Sequence, residues 1–597
     1  VFSLREGPMF GIPGGASRRD AASDKLAPAM RTGLVLSWIR ARFGANEAVY
    51  NVRGSNPMRI SIFAICAAVG VAGVAGTAHS APACSVAALN ALSVPDVDVA
   101  EAKPVAAAGT TPAYCDVQGT VVTKGAGVGE GLARFAMQLP DAWQQRFLFL
   151  GIGGNGGNLV PSANVTDRAS ALGKGYVTIL TDSGHVGDGT SAKWTRLPDG
   201  RPDDVKRIDF FHRAAHEVTV AGKVFAQSYY GANVAHAYFD GCSTGGRMSM
   251  MEAERYPEDC DGVIAGDPMM SFNTYAARAV VQKAALSSPD AYIPEATLSA
   301  IDARVTGQCD AIDGATDGLV QAPAACPVHA EDLLCGPGES GACLNANQVR
   351  VLKSYTSPFY DAHGHELFGP WPITDLQGRG GLAGTVTGSA PPDLSDLASP
   401  WRANIRAAPR SWRLVQEMVT YWLGLGTETT VADLDADPAT NIVGDKLLGM
   451  MTVTYADGNA RDPAALTAFI SQGRKMILYH GASDPSIPPS QSIAFYREFA
   501  QRQGSYDRAQ ESVRLFLVPG MHHCSGGRAP DRFDTLSALE DWVERGQAPG
   551  AIQASTKPGT VVVHRLPLCP YPQQARYSGI GEISDPANWR CMASPDL

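Results

Sequence analysis

Past its amino-terminal segment, the chain has no apolar run long enough to cross a bilayer, which excludes an integral helical membrane protein. It has no long Lys/Arg run outside its first residues, and its formal net charge of -10 argues against a surface built for nucleic acid. No internal repeat is present, so a solenoid or propeller is excluded. Charged residues make up only 18% of the 597 positions and hydrophobic ones 45%, which excludes disorder as the default and suits one large core plus an insertion. The glycine-rich loop 151–157 lacks Gly-Lys-Ser/Thr, and no acidic ribose-binding residue follows at the usual distance, so a nucleotide cradle does not fit. His212 and His216 stand four apart on a predicted helix, but the Glu of a His-Glu-x-x-His zinc motif is missing and no third ligand is evident. No organic cofactor is expected.

What is present centres on Tyr238-Phe239-Asp240-Gly241-Cys242-Ser243-Thr244-Gly245-Gly246, an apolar run that feeds into Gly-x-Ser-x-Gly and a helical pattern. This is a nucleophile elbow: a turn this tight holds Ser243 at strained angles, and only small neighbours such as Gly241 and Gly245 leave room for it. A serine hydroxyl is a weak nucleophile at neutral pH, so the motif requires a downstream acid and a histidine base, in that order. Lys475 to Asp484 is an apolar run ending in a turn with a carboxylate, and Pro519-Gly520-Met521-His522-His523-Cys524 supplies the base. A cysteine adjoins both Ser243 and His523. Bringing the base to hydrogen-bond distance of the nucleophile brings Cys242 and Cys524 within disulfide span, roughly 5 to 6 Å between Cα atoms.

Gly-Cys-Ser-x-Gly-Gly, Tyr-His-Gly-x-Ser-Asp and Val-Pro-Gly-Met-x-His-Cys together resemble the tannase and feruloyl esterase family of α/β-hydrolases, from about Cys84 to Cys591. That family also includes enzymes cleaving mono(2-hydroxyethyl) terephthalate. The resemblance implies Ser243, Asp484 and His523 as the triad and Cys242–Cys524 as the disulfide joining nucleophile and base. It adds the pairs Cys84–Cys115 and Cys569–Cys591, whereas sequence proximity suggests Cys309–Cys326 and Cys335–Cys343. Cys260 is left as a free structural thiol. In an α/β-hydrolase the oxyanion hole takes backbone N–H groups from the loop after the third strand and from the residue after the nucleophile, here Ile152 or Gly153, and Thr244.

The chain order divides as follows. Residues 1–57 read as an upstream extension or disordered lead. Residues 58–81 have the charged start, short apolar run and small-residue end of a signal peptide, the rival being an amino-terminal anchor, so a secreted or periplasmic protein with no membrane attachment after cleavage is expected. An α/β-hydrolase domain occupies 84–268 and 466–597. Between the nucleophile and acid strands, residues 269–465 form a lid domain rich in Gly, Pro and Trp, where Trp371, Trp401, Trp412 and Trp422 either line a pocket or hold the lid together. Strands are predicted over 146–150, 176–181, 261–267, from 475, and over 513–518, with helices over 210–230 and 533–545.

Within the lid, Asp310-Ala311-Ile312-Asp313-Gly314-Ala315-Thr316-Asp317-Gly318-Leu319 reads as a hard-cation loop. By the resemblance it holds structural calcium through Asp310, Asp313 and Asp317 side chains and the Ala315 and Leu319 carbonyls. Substrate contact is expected of His480, Ile487, Arg402, Ser411 and Trp412. The resemblance implies a small-molecule substrate, an ester of a galloyl, hydroxycinnamoyl or terephthaloyl acid, with the natural phenolic esters preferred over the terephthalate monoester. A peptidase on the same fold and a non-catalytic binding protein are the alternatives from other classes.

Overall fold

A computed structural model describes residues 81–163, 166–378, 380–559 and 562–594. The predicted upstream extension and the predicted signal peptide, up to residue 80, lie outside the described residues.

Nine strands form the central sheet: β1 (Val97–Val105), β2 (Tyr114–Thr123), β3 (Gly131–Pro140), β4 (Arg146–Leu150), β5 (Tyr176–Thr181), β6 (His236–Cys242), β7 (Gly262–Gly266), β8 (Lys475–Gly481) and β9 (Val513–Val518). Their spatial order is β1-β2-β3-β5-β4-β6-β7-β8-β9. β1, β2, β3 and β5 pair antiparallel, and from β5 to β9 every pairing is parallel. This is the mixed sheet of an α/β-hydrolase. The parallel strands are mostly buried, because helices cover both faces: Phe147 to Leu150 and Tyr176 to Thr181 are buried at every position. The first three strands escaped the sequence reading. β1 is mostly exposed and carries Pro104, while β2 alternates buried and half-buried residues over a stretch diluted by Gly119, Thr120 and Thr123.

Helix α1 (Ala214–Tyr230) ends at Gly231, whose φ of 66° closes it, and the chain turns into β6. A π-helical turn, Asp209–Arg213, precedes α1 and projects Phe210 and Phe211 toward the lid. Helix α2 (Thr244–Arg255) leaves the elbow, and its buried Arg247 donates to the carbonyls of Phe211 at 2.6 Å and Phe210 at 2.9 Å. The elbow helix is thereby pinned to the π turn.

The sheet pauses after β7 and resumes at β8, and the intervening chain builds the lid around a second apolar core. Helices α3 (Asn273–Ala285) and α4 (Arg410–Glu417) pack in it. Trp371, Trp401, Trp412 and Trp422 are all buried there, so these tryptophans hold the lid together. Trp422 stacks on Phe211 with ring centroids 5.5 Å apart, which seats the lid on the hydrolase body, and within the lid Phe272 stacks on Tyr455 at 4.2 Å. Beyond β8, helix α5 (Pro489–Gln503) and helix α6 (Thr535–Arg545) cover the sheet.

Candidate active site

Ser243 follows β6 at φ 65° and ψ -122°, a conformation costly for any residue with a side chain. Close backbone packing maintains it. A Cβ on Gly241 would lie 2.3 Å from the Gly245 carbonyl, and one on Gly151 would lie 2.6 Å from the Gly245 Cα. Ser162 adds a tie that the sequence reading missed: its Oγ donates to Gly151 O at 3.1 Å and accepts from Cys242 N at 3.0 Å. No local motif marks Ser162, because it reaches the elbow from a loop about eighty positions upstream.

His523 arrives on the loop after β9. Its Nε2 lies 2.8 Å from Ser243 Oγ and its Nδ1 2.7 Å from Asp484 Oδ2. Asp484 is fully buried in the turn after β8, where Oδ1 accepts the N–H groups of Ser486 at 2.6 Å and Ile487 at 3.1 Å. Burial opposes its ionisation, but His523 and His480 outweigh that and hold the carboxyl well below the usual range. The base loop can approach because β8 ends in glycine: a Cβ on Gly481 would sit 2.5 Å from Met521 O and 2.6 Å from His522 O. The Cys242–Cys524 disulfide, with Cα atoms 6.0 Å apart, bridges the nucleophile and base loops. Cys84–Cys115, Cys309–Cys326, Cys335–Cys343 and Cys569–Cys591 are also formed, and Cys260 is free and buried.

Ser243, Thr244 and His523 line a cavity of about 1150 Å³ beneath the lid, together with Gly153 and Ile487. Ile152, the other oxyanion candidate, is fully buried and does not line it. Among the predicted substrate contacts only Ile487 faces the cavity. His480 has no exposure and sits behind Asp484. Arg402 points to solvent, where it pairs with Asp396 at 2.7 Å. Ser411 and Trp412 turn inward into the lid, because on α4 that face packs against α3 and Trp401. The arginines that do reach the cavity are Arg278, Arg406, Arg410 and Arg413. Helical spacing explains the exchange: positions 410 and 413 share one face of α4, and 411 and 412 share the other.

In the acidic lid loop, Asp310 accepts backbone N–H groups from Gly318 and Leu319, and Asp313 from Ala315. Asp313 Oδ2 is buried with no hydrogen-bond partner, and Asp317 Oδ2 has only His564 Nδ1 near it, at 3.4 Å. Burial, with Asp317 and Asp310 adding repulsion, pushes the Asp313 carboxyl up to about 7. Two orphaned carboxylate oxygens in a loop with three acids fit a divalent cation held by oxygen. Among the described residues, three other groups bring ligand atoms within 4.8 Å of one another. Two of these surround the triad. The third is His216 with Glu252 and Asp259, where the Lys223 ammonium already lies 3.5 Å from Asp259. His212 does not join His216, since its Nδ1 is bonded to Tyr256 Oη at 2.7 Å.

Comparison with known proteins agrees with this geometry. The family model described as tannase and feruloyl esterase matches residues 115–592. The chain is 32% identical over 543 residues to the mono(2-hydroxyethyl) terephthalate hydrolase of Piscinibacter sakaiensis, covering 82% of this chain and 86% of that protein. It is 30% identical over 476 residues to feruloyl esterase B of Aspergillus niger, covering 76% and 82%. The crystal structure of feruloyl esterase B from Aspergillus oryzae superposes with a TM-score of 0.67 at 25% identity, over 84% of this chain and 97% of that one. With residues 115–592 matched by the family model and most of the chain covered by these relatives, the chain belongs to the tannase and feruloyl esterase family.

Proposed function

We propose that the protein is a serine carboxylic-ester hydrolase acting on esters of aromatic acids. The observation that carries this reading is the unbroken line from Asp484 through His523 to Ser243 Oγ at the floor of the lidded cavity. His523 takes the Ser243 proton as the hydroxyl attacks the ester carbonyl, and Asp484 orients the ring and stabilises the imidazolium. The N–H groups of Thr244 and Gly153 hold the oxyanion. His523 then protonates the departing alcohol, and a water activated by the same ring releases the acid. Calcium, held by Asp310, Asp313, Asp317 and the carbonyls of Ala315 and Leu319, stiffens the lid loop. Five disulfides suit an exported enzyme, and among the described residues no helix is long and apolar enough to cross a membrane.

One observation favours a second reading of the substrate, a terephthalate monoester. Arg406 and Arg410 line the cavity, and neither has an ion-pair or hydrogen-bond partner among the described residues. A free guanidinium grips a carboxylate in a bidentate fork, which a methyl ferulate or methyl gallate does not offer. The test is a panel of purified-protein assays on methyl gallate, methyl ferulate, mono(2-hydroxyethyl) terephthalate, a p-nitrophenyl ester and a peptide amide. Hydrolysis of the aromatic esters, lost in Ser243→Ala, is expected. Cleavage of the amide alone, or activity in the alanine variant within tenfold of the parent, contradicts the reading.

A further inference from the structure

His480 makes no contact with the cavity, yet it stands at the centre of the charged groups behind the triad. Its Nδ1 is 2.7 Å from Ser492 Oγ, and its Nε2 faces three acceptors: Ile487 O at 3.1 Å, Asp484 Oδ2 at 3.4 Å and Asp267 Oδ1 at 3.6 Å. A nitrogen facing three acceptors carries its hydrogen. Asp267 and Asp484 are both fully buried, so two carboxylates share one buried compartment, and a pair of uncompensated buried anions is costly. Protonating Asp267 would relieve the repulsion, but both of its oxygens already accept N–H groups, Oδ1 from Gly481 at 2.6 Å and Oδ2 from Cys524 at 2.8 Å. The proton is better placed on His480, where Ser492 Oγ accepts from the second ring nitrogen.

We propose that His480 is a positioning residue of the triad: an imidazolium wedged between Asp484 and Asp267 that fixes the carboxylate on which His523 turns. Asp267 completes the arrangement by tying the base loop, through Cys524 N, to the end of the acid strand, through Gly481 N. The remaining charged or titratable groups toward this compartment are His523 beyond Asp484, Arg278 on the Ser486 carbonyl, His522 on the Asp375 carbonyl, and Tyr355. Burial pulls the His480 ring toward neutrality, and Asp267 and Asp484 more than reverse it, while burial pushes the Asp267 carboxyl up to about 6.

The inference rests on the serine-esterase reading, and its test separates the two. His480→Gln keeps an amide N–H for the Ile487 carbonyl and removes the charge. Loss of a cation behind Asp484 makes His523 easier to protonate, so the acid limb of the kcat/KM profile should move up by about one pH unit. The kcat should fall at least about tenfold with KM changed less than about threefold. In the unaltered protein, ¹⁵N-histidine NMR should find the His480 ring doubly protonated at pH 7. A folded glutamine variant with an unmoved acid limb overturns the proposal, and if that variant does not fold, a neutral His480 ring at pH 7 overturns it. Ser243→Ala run alongside distinguishes the failures: an active alanine variant sinks the triad reading itself, whereas an inactive one with an unmoved limb in His480→Gln sinks only the role of His480.

Discussion

In the proposed reaction Asp484 carries the heaviest electrostatic demand in the site, since its fully buried carboxylate must stay ionised while His523 cycles between neutral and charged. Two backbone N–H groups and two imidazoles make this possible. The consequence for stability has a definite sign. The folded-state pKa lies below that of an unfolded aspartate, about 3.9, so the ionised group contributes stability above that pH and loses it as pH falls. Asp484→Asn should therefore melt below the parent at pH 7, and the gap should begin to narrow only below pH about 4 and close toward the depressed folded-state pKa; a gap independent of pH contradicts the assignment. Its kcat should fall by roughly 10⁴, because the amide no longer selects the productive tautomer of His523. At this scale the sequence was most legible where chemistry demands a local motif, as at Ser243, Asp484 and His523. Ser162, Asp267 and the role of His480 were hidden, because each acts through contacts with residues from other parts of the chain.

The base loop, 519–527, is the element on which the account depends most. Neither strand nor helix fixes it, and it is held instead by the Cys242–Cys524 bond, by Asp267 on Cys524 N, and by the gap that Gly481 leaves. Cys242→Ala combined with Cys524→Ala should leave a folded protein about 2 to 4 kcal/mol less stable, with kcat reduced at least about tenfold. Denaturant melts and steady-state kinetics check the two halves, and full activity in the folded double variant contradicts the positioning role. The acidic lid loop bears on the same element. Leu319 packs where a Cβ on Gly520 would lie, 2.4 Å away, and Arg528 Nη1 donates to Gly318 O at 3.1 Å and Thr306 Oγ1 at 2.8 Å. Sequence separation of some two hundred residues concealed this, and from sequence the loop reads only as a structural calcium loop. Chelation should thus lower both the melting temperature and kcat, and added calcium should restore both. A melting curve unmoved by EDTA, in protein shown to be metal-free, contradicts a calcium site.

At the scale of the whole molecule, two apolar cores divide the labour: the sheet core fixes the triad, and the lid core presents the arginines that face it. The division was legible in the sequence because buried-strand patterns stop after β7 and resume only at β8. The lid's interior was not, because short helical turns and two-residue strands leave no periodicity to read, and the face of α4 toward the cavity depends on packing against α3. Substrate choice belongs at this scale. Arg410→Ala should raise KM for mono(2-hydroxyethyl) terephthalate at least about tenfold while changing that for methyl ferulate less than about threefold, and equal effects on both would remove the carboxylate-grip reading. The identity of the nucleophile underlies every other step. Treating the folded protein with a fluorophosphonate and mapping the adduct by peptide mass spectrometry tests it directly. The account predicts one adduct per chain, on Ser243, with activity lost in proportion to labelling; an adduct on another residue, or full labelling with activity intact, would contradict it.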